Sequence, residues 1–474
     1  MKYISTLAIL LATTSLASAA SNESFILQAG SKNSSTVKQV SGKNLQATVQ
    51  HGKNNAVVTT QKNDGTGKNT SGVLEIGNNN SAIVGQTGGA NKLGTLQVGN
   101  NNSALTLQGN SQSGVNKSET AQFGNGNSSL VGQANGDNNQ TTLQFGKGAF
   151  SGNVAETAQT TGDNSDKNQS KTVQGGANNN SVTAQNSIGV AGGNKAGRGG
   201  LNDQVAVQFG NGNTQLTDQN SIGSGKKAAA ASGVSNEAAT LQFGNGNFAW
   251  TKQKGSTPGA DANEATNSSL IIQSNKGDGI GNTALVKQTN GNNVQAAVQA
   301  GSGNVAQVTQ KNANDSSATN GSATVQVNPG SDAGNTATVK QTNGGNLQGT
   351  VQVGSNNLAQ TTQKNIDGGL GNNGALTLQI GKNDLATTRQ KIANPMAGAN
   401  GSLIAQVGNN NLAQVRQNDN ATGLQPMIGA NLQATVQVGN GNSAMTTQTA
   451  SATVTNSSVT AQFGSHNLAV VTQH

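Results

Sequence analysis

The chain has 474 residues, with 65 glycines, no cysteine, 2% aromatic residues and 10% charged residues. So thin a supply of large apolar side chains excludes an ordinary globular interior, and the lack of cysteine excludes a disulfide framework or a thiolate metal site. The formal charge of +8 is spread thinly, with Lys and Arg read mostly as linker residues, as in 192–200 and 223–233. That balance is compatible with an anionic polysaccharide or extracellular DNA. It is expected to be solvated surface with no specific nucleic-acid partner, because a nucleic-acid reader clusters its charge and interleaves aromatics.

At the N-terminus, Lys2 precedes an apolar run from Ile4 to Leu16 and small residues at Ala17 and Ala19. This reads as a signal peptide over residues 1–20, cleaved after Ala19 or Ala20, and it is too short to span a membrane. No later segment reaches the roughly 20 apolar residues of a spanning helix. Residues 21–474 are expected to be an exported β-solenoid.

From Asn22 onward one pattern repeats: Asn, five residues, Gln, one residue, Gly, two residues, Asn, five residues, Gln. Copies begin at Asn22, Asn44, Asn69, Asn91, Asn116, Asn138, Asn168, Asn202, Asn236, Asn267, Asn293, Asn320, Asn346, Asn373, Asn400, Asn431 and Asn456, about seventeen in all and 22 to 34 residues apart. Such self-similarity marks a repeat architecture and overrides the disorder that Gly, Ser, Asn and Gln would otherwise imply. Glu75 replaces one Gln and Asp384 one Asn. The middle turn widens by four residues between Gln144 and Asn153, Gln273 and Asn282, and Gln326 and Asn335.

The Asn and Gln of each half-repeat are six apart. An even spacing places both on one face of a strand, whereas on a helix they fall about 120° apart. Val, Thr, Leu and Ala between them, with Gly at the joint, favour strand–turn–strand. Pro258, Pro395 and Pro426 fall in linkers and Pro329 in a widened turn, so none interrupts a strand. A two-strand unit has no interior of its own and must stack on its neighbours. The expected fold is all-β: a β-solenoid of stacked strand–turn–strand repeats forming two parallel sheets.

Stacking in register at about 4.8 Å sets each amide above its counterpart, and an amide carries both donor and acceptor, so a column of them satisfies itself. The expected ladder is clearest in five copies. The first two are Asn44, Gln50, Gly52, Asn55 and Gln61, and Asn293, Gln299, Gly301, Asn304 and Gln310. The third is Asn346, Gln352, Gly354, Asn357 and Gln363. The last two are Asn431, Gln437, Gly439, Asn442 and Gln448, and Asn456, Gln462, Gly464, Asn467 and Gln473. Gly at the turn permits the positive φ that a sharp reversal needs.

These repeats, as in Asn44–Gln61 and Asn346–Gln363, resemble the curlin repeat of bacterial curli amyloid subunits, and the resemblance covers nearly all of the chain from Asn22 to Gln473. It implies a fibre subunit exported by a Gram-negative bacterium to the cell surface, where it forms a pilus-like matrix for adhesion and biofilm. Implied partners are further copies added end to end, other curlin-like subunits or a nucleator, and outer-membrane secretion machinery. The chain departs from the family's habit in having more repeats, longer and less regular linkers, and no non-repeat segment between the signal peptide and Asn22. A monomeric solenoid, either adhesin or ice-binding, is the alternative.

Strand parity leaves two ways to face the sheets. The Asn/Gln face also carries Thr48, Thr95, Thr120, Thr240, Thr350 and Thr435; the other carries Leu74, Leu96, Val207, Leu241, Val298 and Val436, with Phe123, Phe209, Phe243 and Phe463 beyond. Ordinary burial would turn the aliphatic face inward. The resemblance implies that the amide face points in, which leaves an aliphatic strip outside. Exposed Thr rows, the feature an ice-binder needs, would follow from the opposite choice.

No catalytic, metal or cofactor constellation is expected, and the chain is read as a non-enzyme. Its three histidines, His51, His466 and His474, give little material for a metal cluster or a nucleophile–base pair. The P-loop likeness of 62–70 fails, since Lys62 stands where Gly is required and Asn69 where Ser or Thr is. No cap is legible in the sequence of the terminal repeats, so growth by stacking is expected.

The repeats starting at Asn293, Asn346 and Asn431 contain no charged residue, whereas Lys92, Lys117, Glu119 and Lys171 lie in early strands. Low charge with high β-propensity favours aggregation. Deleting 431–473 is therefore expected to lengthen the lag of polymerisation, followed by thioflavin T, far more than deleting 91–133; equal lags would remove the C-terminal repeats as the nucleating segment.

Overall fold

The computed structural model describes residues 22–474 except 64–66, 112–113, 147–151, 163–166, 190–199, 224–233, 257–264, 276–278, 313–318, 331–332, 367–370, 394–397, 421–428 and 452–453. The expected signal peptide lies outside the described residues, as do Pro258, Pro395 and Pro426. The described residues form 34 strands and no helix. Each repeat supplies two strands, for example Lys43–Lys53 and Ala56–Lys62.

The chain divides into two compact units, residues 1–236 and 237–474. In the first, Asn22–Ser31 pairs in parallel with Lys43–Lys53, which pairs in turn with Lys68–Asn78. The register stacks Asn22, Asn44 and Asn69, then Gln28, Gln50 and Glu75, then Gly30, Gly52 and Gly77. The second strands form their own parallel sheet, with Gln39 opposite Gln61 and Gln61 opposite Gln86. In the second unit Asn400, Asn431 and Asn456 stack in the same way, and Gln417, Gln448 and Gln473 stack in the companion sheet. Each unit is a β-solenoid of two parallel sheets, one strand of every turn in each.

The reversal between the sheets uses two left-handed residues. Gly52 has φ 130° and Asn54 φ 57°; Gly354 and Asn356 have φ 115° and 56°; Gly439 and Gly441 have φ 127° and 67°. At the first position a side chain is excluded by neighbours as well as by φ. A Cβ on Gly354 would lie 1.9 Å from the Gly381 carbonyl oxygen, and one on Gly439 would lie 1.8 Å from that of Gly464. In the three widened turns Gly146, Asn275 and Asn328 occupy this position, and none has a positive φ. Without a left-handed φ at this position there is no conformational demand for Gly, which is why Asn can replace it there.

The Asn and Gln side chains point inward. Between them lie Ser, Thr, Ala and Val, with small apolar clusters such as Val57, Val73, Ala82, Val84 and Leu93. The gap admits few larger side chains: among the described residues Ile271, Ile392 and Ile404 are the bulkiest apolar ones wholly enclosed. Thr48, Thr350 and Thr435 are buried in the interior. Leu74, Leu96, Val298 and Val436 are half-buried on the outer face, and Phe209, Phe243 and Phe463 are exposed beyond them.

Gly354→Ala combines a left-handed φ with a backbone collision and should destabilise the fold by at least about 2 kcal/mol. Gly94→Ala, where a Cβ meets nothing within 4 Å, should be neutral or slightly stabilising. Urea midpoints of the two variants check the contrast.

Candidate functional site

The amide columns are the most distinctive chemistry in the fold. Among the ladder residues, Asn44, Gln50, Asn55, Gln61, Asn293, Gln299, Asn304, Gln310, Asn346, Gln352, Asn357 and Gln363 are almost wholly buried, as are Asn431, Gln437, Asn442 and Gln448. In the last turn Asn456 and Gln462 retain 6% exposure, and Asn467 and Gln473 are half-buried. Gly52, Gly301, Gly354, Gly439 and Gly464 occupy the left-handed turn position.

Each Gln makes two kinds of bond. Its Nε2 donates across to a carbonyl of the companion sheet, as from Gln50 to Ser34 at 3.0 Å and from Gln437 to Leu412 at 3.0 Å. The same nitrogen donates along the stack to the Oε1 of the next turn. In the second unit these bonds run from Gln299 to Gln326, Gln326 to Gln352 and Gln352 to Gln379, each at 2.8 Å. The second-strand column behaves alike, from Gln390 to Gln417 at 2.8 Å and Gln448 to Gln473 at 2.7 Å. The carbonyl partner fixes which end of the amide is nitrogen.

The Asn columns run the other way. Asn320 Nδ2 donates back to Asn293 Oδ1 at 3.0 Å, and Asn346 Nδ2 to Asn320 Oδ1 at 2.7 Å. In the second-strand column the backbone N–H of Asn304 also donates to Asn282 Oδ1, at 3.1 Å. Asn Nδ2 closes the turn on a neighbouring glycine carbonyl, as from Asn442 to Gly464 at 3.0 Å. Burial of these groups is tolerable because nearly all of this capacity is filled.

The two acidic replacements interrupt the ladder in a specific manner. Gln50 Nε2 donates to Glu75 Oε2 at 2.9 Å, but an ionised Glu75 has nothing to donate to the next turn. Glu75 Oε1 and Gln97 Oε1 are both buried without a partner. Asp384 Oδ1 accepts from the backbone and side chain of Asn411, at 2.9 and 3.1 Å, while Oδ2, standing where an Asn carries its nitrogen, is unsatisfied. Desolvation pushes Glu75 up from its ordinary 4.5 to about 7, against the bond from Gln50. It pushes Asp384 from 3.8 to about 6, against the bonds from Asn411. A proton on either carboxyl supplies the donor that the amide would have carried.

Several participants were not read from the sequence. The left-handed residue before the second Asn is Asn or Gly in most turns and His466, φ 59°, in the last; its signal was the Asn/Gly alternation in Gly-x-Asn/Gly-Asn. A further set of buried amides, Asn63, Asn110, Asn312 and Asn365, follows the second Gln by two residues and ties down the return between turns. Asn312 Nδ2 reaches Gly291 O at 3.2 Å and Asn365 Nδ2 reaches Gly344 O at 3.1 Å. The Gln-x-Asn spacing carried that signal.

The outer faces differ from one another. On the first-strand sheet of the second unit, Val294, Leu347, Leu376, Leu403 and Leu432 are exposed along a shallow groove of about 760 Å³. Leu347 and Leu432 lie over Gly321 and Gly401 of the preceding turns, 2.8 and 2.9 Å from where a Cβ would be. The reading of Lys and Arg as mostly linker residues does not hold for the second-strand sheet. Lys287, Lys311, Lys340, Lys364, Arg389 and Arg416 all sit on strands, exposed. Variable linkers displace these positions in sequence while the stack brings them into line. In the first unit Lys117 and Glu119 form an exposed 2.9 Å ion pair on the outer surface, a contact of small energetic weight.

No protein-family model and no curated protein matches the chain.

The acidic rungs predict a pH dependence. Between the unfolded and folded values the native state holds a proton that the unfolded chain lacks, so stability falls as pH rises from about 4.5 to about 7 for Glu75 and from about 4 to about 6 for Asp384. The double variant Glu75→Gln, Asp384→Asn should raise the urea midpoint at pH 8 and flatten its fall between pH 4 and 8, with the two proteins converging near pH 4.

Proposed function

We propose that this chain is a secreted structural subunit that polymerises into, or decorates, extracellular curli-like amyloid fibres by adding turns to the open ends of its solenoid. The observation that carries the reading is the polarity of the ladders. Gln columns donate toward higher-numbered turns and Asn columns toward lower-numbered ones. The rung at Gln462 and Gln473 therefore presents Nε2 groups along the stack, while Gln28 and Gln39 present Oε1 groups. Asn456 and Asn467 present Oδ1 where Asn22 presents Nδ2. Donors of one rung meet acceptors of the other when a second copy stacks head to tail, a heterologous contact that propagates.

The strands concerned are accessible. Asn22–Ser31 is mostly exposed, and in Thr455–Ser465 alternate residues are exposed. The curlin-like spacing supports the same reading at the level of family. Asn/Gln-facing burial encloses Thr48, Thr350 and Thr435, so first-strand Thr rows offer nothing to an ice-binding alternative.

Purified chain at several concentrations should give thioflavin-positive fibres with a concentration-dependent lag that preformed fibres abolish. Gln462→Leu with Gln473→Leu should slow seeded elongation about tenfold while leaving the circular dichroism of the monomer β-rich, since each lost rung bond is worth about 0.5–1.5 kcal/mol. A persistent β-rich monomer would instead establish a binding solenoid.

A further inference from the structure

The cations on the second-strand sheet of the unit 237–474 form an organised track. Strand pairing places Lys287, Thr309, Lys340, Thr362, Arg389 and Arg416 in one row across six successive turns. The adjacent row, two residues along each strand, reads Thr289, Lys311, Thr342, Lys364, Lys391 and Asn418. Every one of the six turns carries at least one outward cation. Turns succeed one another at about 4.8 Å and the rows lie about 7 Å apart.

Placement within the rows argues that this is more than a solvated surface. In the first row Thr separates Lys287 from Lys340 and Lys340 from Arg389, so the cations stagger between rows. Arg389 stacks on Arg416 there, Lys364 on Lys391 in the adjacent row and Lys252 of the preceding turn on Lys287, so the stagger relieves only part of the repulsion between like charges facing each other across strands. Asp384 and Asp419, the acidic residues described on these six turns, point into the interior and are buried. Among the described residues of these turns, no acidic side chain lies on the outer face to neutralise the track. The equivalent rows of the unit 1–236 carry no such pattern: Lys38, Lys62 and Asp218 appear there, with Glu156 on the neighbouring row of the same face. Aligned uncompensated charge of one sign attracts a linear polyanion and releases its counterions.

We propose that this face, over residues 283–418, binds an extended acidic polysaccharide, a chain with a carboxylate on each sugar. The groups between the cations suit such a ligand. Gln307, Gln360, Gln414 and Thr362 are exposed beside them, and together with Thr309 and Thr342 they offer amide and hydroxyl partners for sugar hydroxyls. No aromatic residue lies on the strands of these six turns. A single-stranded nucleic acid would call for successive aromatic platforms on which bases stack. A chain whose anions recur once per sugar follows the strand spacing, so it can engage turn after turn. The inference goes beyond the fibre reading and holds for monomer or fibre alike.

The test uses the full chain and three probes: polymannuronate, neutral dextran and poly(dT), titrated at several salt concentrations. One variant replaces Lys287, Lys311, Lys340, Lys364, Arg389 and Arg416 by Gln; a control of equal net charge replaces Lys38, Lys53, Lys68, Lys92, Lys117 and Lys171 by Gln. Circular dichroism and fibre growth are followed for both, so that a failure to fold or to polymerise is read separately from a failure to bind. The face variant should lose polymannuronate affinity at least about 100-fold and flatten its salt slope by several units, with the control within about threefold of the parent. Dextran should not bind. Equal losses in the two variants, tighter binding of poly(dT) than of polymannuronate at matched charge, or no binding of polymannuronate at all would each overturn the proposal.

Discussion

The structure depends on the capacity of a side-chain amide to donate on one side and accept on the other at the spacing of adjacent β-strands. Gln352 illustrates it: it accepts from Gln326, donates to Gln379, and reaches across to the Thr336 carbonyl. An aliphatic side chain at the same place would supply burial but no register, because a hydrophobic column tolerates sliding. A buried amide does not, since a slip of one residue would strand it against aliphatic neighbours. Register along the stack is thus fixed by polar groups, and the narrow gap between sheets is filled by Ser, Thr, Ala and Val, which leave the amides room to meet.

Much of the architecture was legible because the repeat spacing states strand parity directly. Asn431 and Gln437 are six apart, and no helix keeps them on one face. The partition of the chain into strand, turn and strand followed from Gly439 and Asn442. Less visible was the second left-handed residue of the turn, since Asn54 and Gly441 do not look alike until their φ values are compared. Asn275 and Asn328 were hidden for the opposite reason: the widened loops remove the conformational demand, so the residue type there ceases to report it.

The cationic track shows a different limit of sequence reading. Lys287 and Lys340 are not related by any fixed interval, because the linkers between turns vary in length. Their alignment exists only once strand pairing has set both residues in one row. The same holds for the consequence of Glu75. Its departure from the pattern was plain, but the facing orphan oxygens of Glu75 and Gln97 come from the direction in which the column donates. Rows in a solenoid are properties of register, and the linear sequence records them only indirectly.

The opposed directions of the Gln and Asn columns bear on how long such an object can grow. In an α-helix every peptide dipole points the same way, and the ends accumulate partial charge. Here each regular turn contributes two Gln amides donating one way and two Asn amides donating the other, so the side-chain dipoles largely cancel turn by turn. A stack built on this plan gathers no axial field from its ladders as turns are added, and nothing in their electrostatics sets a preferred length.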